Sequence, residues 1–201
     1  MGGFNDAPDS VVVARLADDP AALEELFRRY RRIVLRYAAR RCDRPSDVDD
    51  VVAATFLAAL ESAARYDVRK GEVRAWVLGI AHNQLGLLRR SDQRQRSLEL
   101  VMGHRRELSE DAFSRLEEQI ATAQDDAVVE RALGQLPQEQ REALLLVASD
   151  GLSPSEAAQV LGISASAFRV RLFRARRLIR SLLPMSTTNQ PKYEVSTGVK
   201  K

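Results

Sequence analysis

Over two stretches, from Val12 to Leu88 and from Val128 to Leu182, the apolar residues return every three or four positions, and nowhere do they alternate over a useful length. A period near 3.6 buries one face of a helix, whereas a half-buried strand needs a period of two. The chain is therefore predicted to be all-α. Over 11–41 the repeating positions are Val12, Leu16, Leu23, Leu26, Phe27, Tyr30, Ile33, Val34 and Tyr37. The run breaks at Asp18–Asp19–Pro20, where Asp19 is placed to cap a second helix and Pro20 to open it. Residues 43–47 read as a turn. Helix resumes over 48–64, burying Val48, Val51, Val52, Thr55, Phe56, Ala59 and Leu60. Asp67 to Gly71 reads as a second turn. A helix from about 72 to 90 carries Val73, Trp76, Val77, Ile80 and Leu87 or Leu88.

Residues 91–127 break the pattern. They hold nine acids against five arginines, and their apolar residues are scattered. This reads as an acidic, flexible linker, because so long a stretch without a repeating face is unusual inside one domain. The periodicity returns over 128–184, first with Val128, Val129, Ala132, Leu133 and Leu136, then with Ala143, Leu144, Leu146 and Val147. The expected architecture is two small helical domains, 1–90 and 128–184, joined by that linker. The tail 185–201 is rich in Ser, Thr, Asn and Lys and is expected to be disordered.

The second domain has the clearest local signals. Ser153, Pro154 and Glu156 form a capping box with proline at the first helical position. Gly162 supplies a left-handed exit after Leu161, and Ser164 can cap the next helix. Two helices joined by Gly162–Ile163–Ser164 make a helix-turn-helix. In the second of them Phe168, Leu172, Ala175, Ile179 and Leu182 form an apolar stripe, and Arg169, Arg171, Arg174, Arg176, Arg177 and Arg180 lie on or beside the other faces. Such a helix suits a DNA groove. Its N-terminal end places Arg169 and Arg171 near bases, and Arg174, Arg176 and Arg177 on phosphates. A helical hairpin with a solvated basic face is the plainer alternative.

Charge runs in blocks. Seven arginines face two glutamates over 23–42, Asp47, Asp49 and Asp50 follow, and the net charge is only +3. Alternating blocks point to distinct surfaces for distinct partners. A single cysteine, Cys42, and two histidines, His82 and His104, offer neither an intramolecular disulfide nor a zinc cluster. No basic segment followed by an apolar run opens the chain, and no run approaches 18 apolar residues, so a cytoplasmic protein is expected. An Asp47/Asp49/Asp50 metal cluster with His82 as base lacks a second carboxylate cluster, a glycine-rich phosphate loop or a nucleophile motif. No catalytic, cofactor or metal residue is assigned, and no small-molecule substrate is expected.

The order of motifs resembles a known family. The Asp-rich turn precedes Val51–Val52 and Thr55–Phe56–Leu57; then come Arg65–Tyr66–Asp67, Gly71, the Trp76–Asn83 stretch with Gly79–Ile80–Ala81, and Arg89–Arg90. In the second domain Leu136–Pro137, Arg141 and Leu144–Leu145–Leu146 precede Asp150–Gly151–Leu152–Ser153 and the Arg171–Arg176 run. Together these resemble the extracytoplasmic-function (ECF) sigma factors of bacterial RNA polymerase across roughly 11–90 and 128–184. The resemblance implies a first domain that binds core polymerase and melts the −10 promoter element, and a second that recognises the −35 element. It implies Asp47, Asp49 and Asp50 as core-polymerase contacts, with the basic helix around Arg28, Arg29, Arg31 and Arg32 either assisting core binding or neutralising DNA phosphates. Tyr66 and Asn83 match positions that cradle a flipped −10 base. Trp76 is a core anchor or a stacking partner, and Arg89 and Arg90 suit phosphates. An anti-sigma protein, often attached to the membrane, is the implied regulator.

Some positions depart from the family pattern. Ala53 and Ala54 stand where Gln-Glu is usual, His82 where Arg is common, and Gly86 and Leu87 where an acid or amide often follows. At the recognition tip Ser166-Ala167-Phe168-Arg169-Val170-Arg171 replaces a Thr- and Ser-bearing segment, and Val170 becomes a candidate for a thymine methyl. The alternative to an initiation factor is a helix-turn-helix regulator that binds DNA without supporting initiation. A scaffold with basic faces for acidic partners is a further alternative.

Overall fold

Local chain chemistry sets the helix boundaries. The computed structural model describes residues 4–102, 129 and 131–182. Helix α1, Asp9–Ala14, follows one 3-10 turn at Phe4–Asp6. The Asp19 side chain accepts from the Ala21 amide and Pro20 opens α2, Pro20–Ala39. Helix α3, Pro45–Ser62, begins inside the segment expected to be a turn, because Pro45 occupies its first position. Two 3-10 turns, Ala63–Arg65 and Val68–Lys70, lead to α4, Val73–Met102. After a helical stretch at 131–134 come α5 (Gln138–Ala148), α6 (Pro154–Val160) and α7 (Ala165–Leu182). No strand occurs among the described residues.

Helix α4 extends twelve residues past the expected end near 90. The apolar repeat fades after Leu88, but Gln, Arg, Leu and Glu are good helix formers, and each residue added to an existing helix gains a backbone hydrogen bond. The remainder of the expected linker, from 103, and the expected disordered tail lie outside the described residues.

Helices α2, α3 and α4 pack on one another, with α1 closing one end against α2 and α4. The second group is α5, α6 and α7, and its α6 lies directly on α4. One apolar core runs through both groups. Val12, Leu26, Val34, Tyr37, Val51, Val77, Leu78 and Leu85 are continuous with Ala143, Leu146, Leu152, Ala157, Val160 and Phe168. A smaller cluster of Leu133, Leu136, Leu145 and Ala175 sits between α5 and α7. Val129, expected on the buried face, is 40% exposed.

The helix-turn-helix forms as its signals require. Ser153 Oγ accepts from the Glu156 amide at 3.3 Å, while Glu156 Oε2 accepts from the Ser153 amide at 2.8 Å. Gly162 takes φ +63, the left-handed conformation that favours glycine. Ser164 Oγ then accepts from the Ala167 amide at 3.2 Å at the start of α7.

Candidate nucleic-acid interface

The recognition helix turns Phe168, Leu172 and Ala175 inward. Arg169, Arg174, Arg176 and Arg177 are exposed, as is Val170. Arg171 is different. Its guanidinium reaches back to Glu139 on α5 at 3.1 Å, so it is tied to the domain's own scaffold. Phe173 is 67% exposed on the same helix, with Val170 three residues before it and Arg177 four after it on the same face. Read from sequence, Phe173 stands only within the Arg171–Arg176 run and has no assigned role.

The acidic turn separates its carboxylates. Asp47 is buried and accepts two hydrogen bonds from Arg44 Nε, at 3.1 and 2.9 Å. Arg44 also pairs with Asp92 on α4. Asp49 and Asp50, one turn into α3, are exposed.

The aromatic residues meet beside α4. The Tyr66 hydroxyl donates to the Gly71 carbonyl at 3.0 Å, and its ring lies 5.1 Å from the Trp76 ring, tilted by 51°. Trp76 and Asn83 line a cleft of about 440 Å³ together with Arg65, Gly79 and His82. Tyr66 packs against the Trp76 ring and is not among the residues that line the cleft. Arg89 donates to the Arg41 carbonyl at 3.1 Å, and Arg90 is exposed. The far wall of the cleft is Gln159–Gly162, the end of α6 and the turn that follows.

A polar cluster that sequence reading missed adjoins the cleft through His82. Arg41, at the end of α2, donates from Nε to both oxygens of Glu142 at 2.9 and 3.0 Å, and from Nη2 to Asp150 at 2.8 Å. Its guanidinium carbon sits 3.7 Å from the centre of the Tyr37 ring. The Tyr37 hydroxyl donates to Glu142 at 3.2 Å and lies 3.1 Å from His82 Nδ1. Since the hydroxyl proton goes to Glu142, Nδ1 carries the proton of the neutral imidazole. Burial, and then the Glu142 charge, pushes the Tyr37 pKa well above the usual phenol range. Burial lowers the pKa of His82; Glu142 opposes this, while Arg41 and Arg89 add to it. Arg74 on α4 donates to the backbone carbonyls of Asp150 and Gly151. The only sequence signal for this cluster was Arg41 within the basic block and Asp150 before Gly151, and either residue alone reads as surface.

Among the described residues, no group of three His, Cys, Asp or Glu side chains could hold a metal ion. No described helix is long and apolar enough to cross a membrane.

Comparison with known proteins follows the same two-part division. The model of Sigma-70 region 2 matches residues 26–95, and that of Sigma-70 region 4 matches 126–179. The ECF RNA polymerase sigma factor SigM of Mycobacterium tuberculosis is 31% identical over 187 residues, covering 91% of this chain and 88% of its own length. The RNA polymerase sigma factor CnrH of Cupriavidus metallidurans is 33% identical over 186 residues, covering 87% and 94%. A solved structure of CnrH in complex with the cytosolic domain of CnrY superposes with a TM-score of 0.62 at 31% identity, covering 87% of this chain and 96% of that one.

Proposed function

The chain belongs to the extracytoplasmic-function sigma factors of RNA polymerase, and we propose that it directs promoter-specific initiation through three separate surfaces. It carries no catalytic step of its own; the polymerase supplies the chemistry. Asp49 and Asp50, the exposed carboxylates of α3, meet basic groups on core polymerase, and Asp47 positions that turn through Arg44. Asn83 and Trp76 receive an unstacked −10 base in the α4 cleft, with Tyr66 buttressing the Trp76 ring and Arg89 and Arg90 serving phosphates. On α7, Arg169 and Val170 face −35 bases, Arg174, Arg176 and Arg177 hold phosphates, and Arg171 braces the helix through Glu139. The domain division is 1–90 for core binding and −10 melting, 91–127 as acidic linker, and 128–184 for −35 recognition.

The observation that carries this reading is the pairing of two DNA-facing devices on one chain. An arginine-covered recognition helix and an aromatic–amide cleft lie on different elements, each suited to a different state of DNA. The relative CnrH is solved with the cytosolic domain of CnrY, and an anti-sigma partner of that kind is proposed here as well. The chain then works in the cytoplasm with its polymerase, and such a partner holds it at the inner face of the membrane.

Transcription tests the proposal. Purified protein is added to bacterial core polymerase with a library of genomic promoter fragments. Defined 5′ ends sharing two spaced upstream elements are expected. Active core that neither binds the protein nor yields such transcripts would overturn it and leave a DNA-binding regulator in its place.

A further inference from the structure

We propose that His82 is a second reader of the unstacked base: its Nε2 accepts a hydrogen bond from an amino group on the base edge, so the cleft selects cytosine or adenine over thymine or guanine. The inference rests on the reading of the Trp76–Asn83 cleft as the −10 base site. His82 immediately precedes Asn83 on α4, and both line the cleft. The half-buried ring is anchored at one nitrogen, with Nδ1 3.1 Å from the Tyr37 hydroxyl of α2. The two nitrogens of an imidazole point in nearly opposite directions, so Nε2 is directed away from Tyr37. Nε2 makes no hydrogen bond with any described residue, yet it is not an orphaned buried atom, so it opens to the cleft.

The placement of protons makes Nε2 an acceptor. Tyr37 gives its hydroxyl proton to Glu142, so Nδ1 bears the imidazole proton and Nε2 a lone pair. The groups around the ring are Tyr37 and Arg41 at the α2 end, Glu142 on α5 and Arg89 on α4. Burial, reinforced by Arg41 and Arg89 and opposed by Glu142, keeps the ring neutral. Asn83 alone does not discriminate between bases. A carboxamide carries a donor and an acceptor, and it turns over to meet either an amino or a keto edge. An imidazole anchored at Nδ1 cannot turn over without giving up Tyr37. Cytosine N4 and adenine N6 each carry two hydrogens, one for the Asn83 amide oxygen and one for His82 Nε2. Thymine O4 and guanine O6 would set an oxygen lone pair against the Nε2 lone pair, leaving both acceptors unmet. Arginine, common at this position in the family, offers donors only; in this chain the choice is set by an acceptor.

The test uses the full chain with core polymerase, on promoters that carry each base in turn across the −10 element of the non-template strand. Wild type is expected to favour cytosine or adenine over thymine or guanine roughly tenfold at one position. His82→Asn keeps a side-chain nitrogen near the place of Nδ1, for Tyr37, and has no atom at the place of Nε2. Its preference at that position is expected to fall to near parity, with the other positions unchanged. A His82→Asn chain that keeps the wild-type preference, or that loses activity on every template by the same factor, would overturn the proposal. If the variant fails to fold by circular dichroism, the template is changed instead. Purine in place of adenine, or pyrimidinone in place of cytosine, removes the amine alone, and undiminished initiation by wild type would overturn the proposal. If wild type initiates on no promoter, the sigma-factor reading falls, and the imidazole nitrogen resonances of the full chain decide the role of His82. The Nε2 resonance, identified by its loss in His82→Asn, is expected to move on adding oligo-dC and to stay in place with oligo-dT. Equal movement with both, or movement with neither, would overturn the proposal.

Discussion

Arg29 on α2 and Arg41 just past its end are each held by two carboxylates, yet they do different work. Arg29 donates to Glu25 at 2.6 Å, to Asp9 at 2.5 Å and to the carbonyls of Ala7 and Phe4. All its partners lie within the first 29 residues, and its side chain is 19% exposed. Arg41 takes Glu142 and Asp150 from the other half of the chain and is sealed from solvent. The first cluster pins an N-terminal segment onto its own bundle. The second ties the residue just past α2 to α5 and to the turn before α6. The difference lies in burial and in the loop that each contact closes.

Breaking the two clusters should therefore give different losses. The largest is expected for Arg41→Ala, which removes from Glu142 and Asp150 the guanidinium that both accept from. Removing one partner of a buried pair costs about 3–5 kcal/mol. Calorimetry of the variant is expected to resolve two transitions where wild type gives one; a single transition at the wild-type midpoint would contradict the assignment. Arg29→Ala removes charge-assisted bonds in a wetter setting and is expected to cost about 2 kcal/mol. Amide exchange at Val12 and Val13 should accelerate while the amides of α6 stay protected. Uniform acceleration would place Arg29 in a global role instead.

A smaller change sharpens the contrast without touching either arginine. Ser153→Ala deletes the cap of the seven-residue α6 and is expected to cost about 1 kcal/mol. Denaturant midpoints should shift accordingly, and Ser153→Asp should recover the loss. The smallest effect is expected from pH, and it separates the clusters. His82 is kept neutral chiefly by burial, so its folded pKa lies below 6.5. The unfolded chain binds more protons as pH falls through that value; the contribution is complete above 6.5 and declines below it. Hydrogen bonds from Arg28 and Arg29 hold Glu25 at about 2, so its contribution is present above 4.5 and is lost only as pH falls towards 2. Thermal midpoints measured against pH should lose the first component, and keep the second, in His82→Asn.

Much of the fold was legible because its signals are local. Asp19 with Pro20, Ser153 with Glu156, and Gly162 with Ser164 act within four residues, and the structure uses each as a cap or exit. The start of α3 was read late because Pro45 can begin a helix as readily as sit in a turn. The end of α4 was read early because the apolar repeat, which reports burial, fades after Leu88. At the candidate interface, residue type marked Arg169, Arg174 and Asn83. It did not reveal that Arg171 would pair with Glu139, or Asp47 with Arg44.

The sequence by itself determined the all-α class, the helix-turn-helix and the family. Each depends on short-range spacing and on motif order, which chain chemistry enforces before any distant contact forms. Only the tertiary structure decided that α6 rests on α4, that Tyr37, Arg41, Glu142 and Asp150 share one buried cluster, and that the Trp76–Asn83 cleft has a wall from the other half. Those partners are remote in sequence, and each is a common surface residue type. Their pairing emerges only when burial removes the water that would otherwise satisfy them.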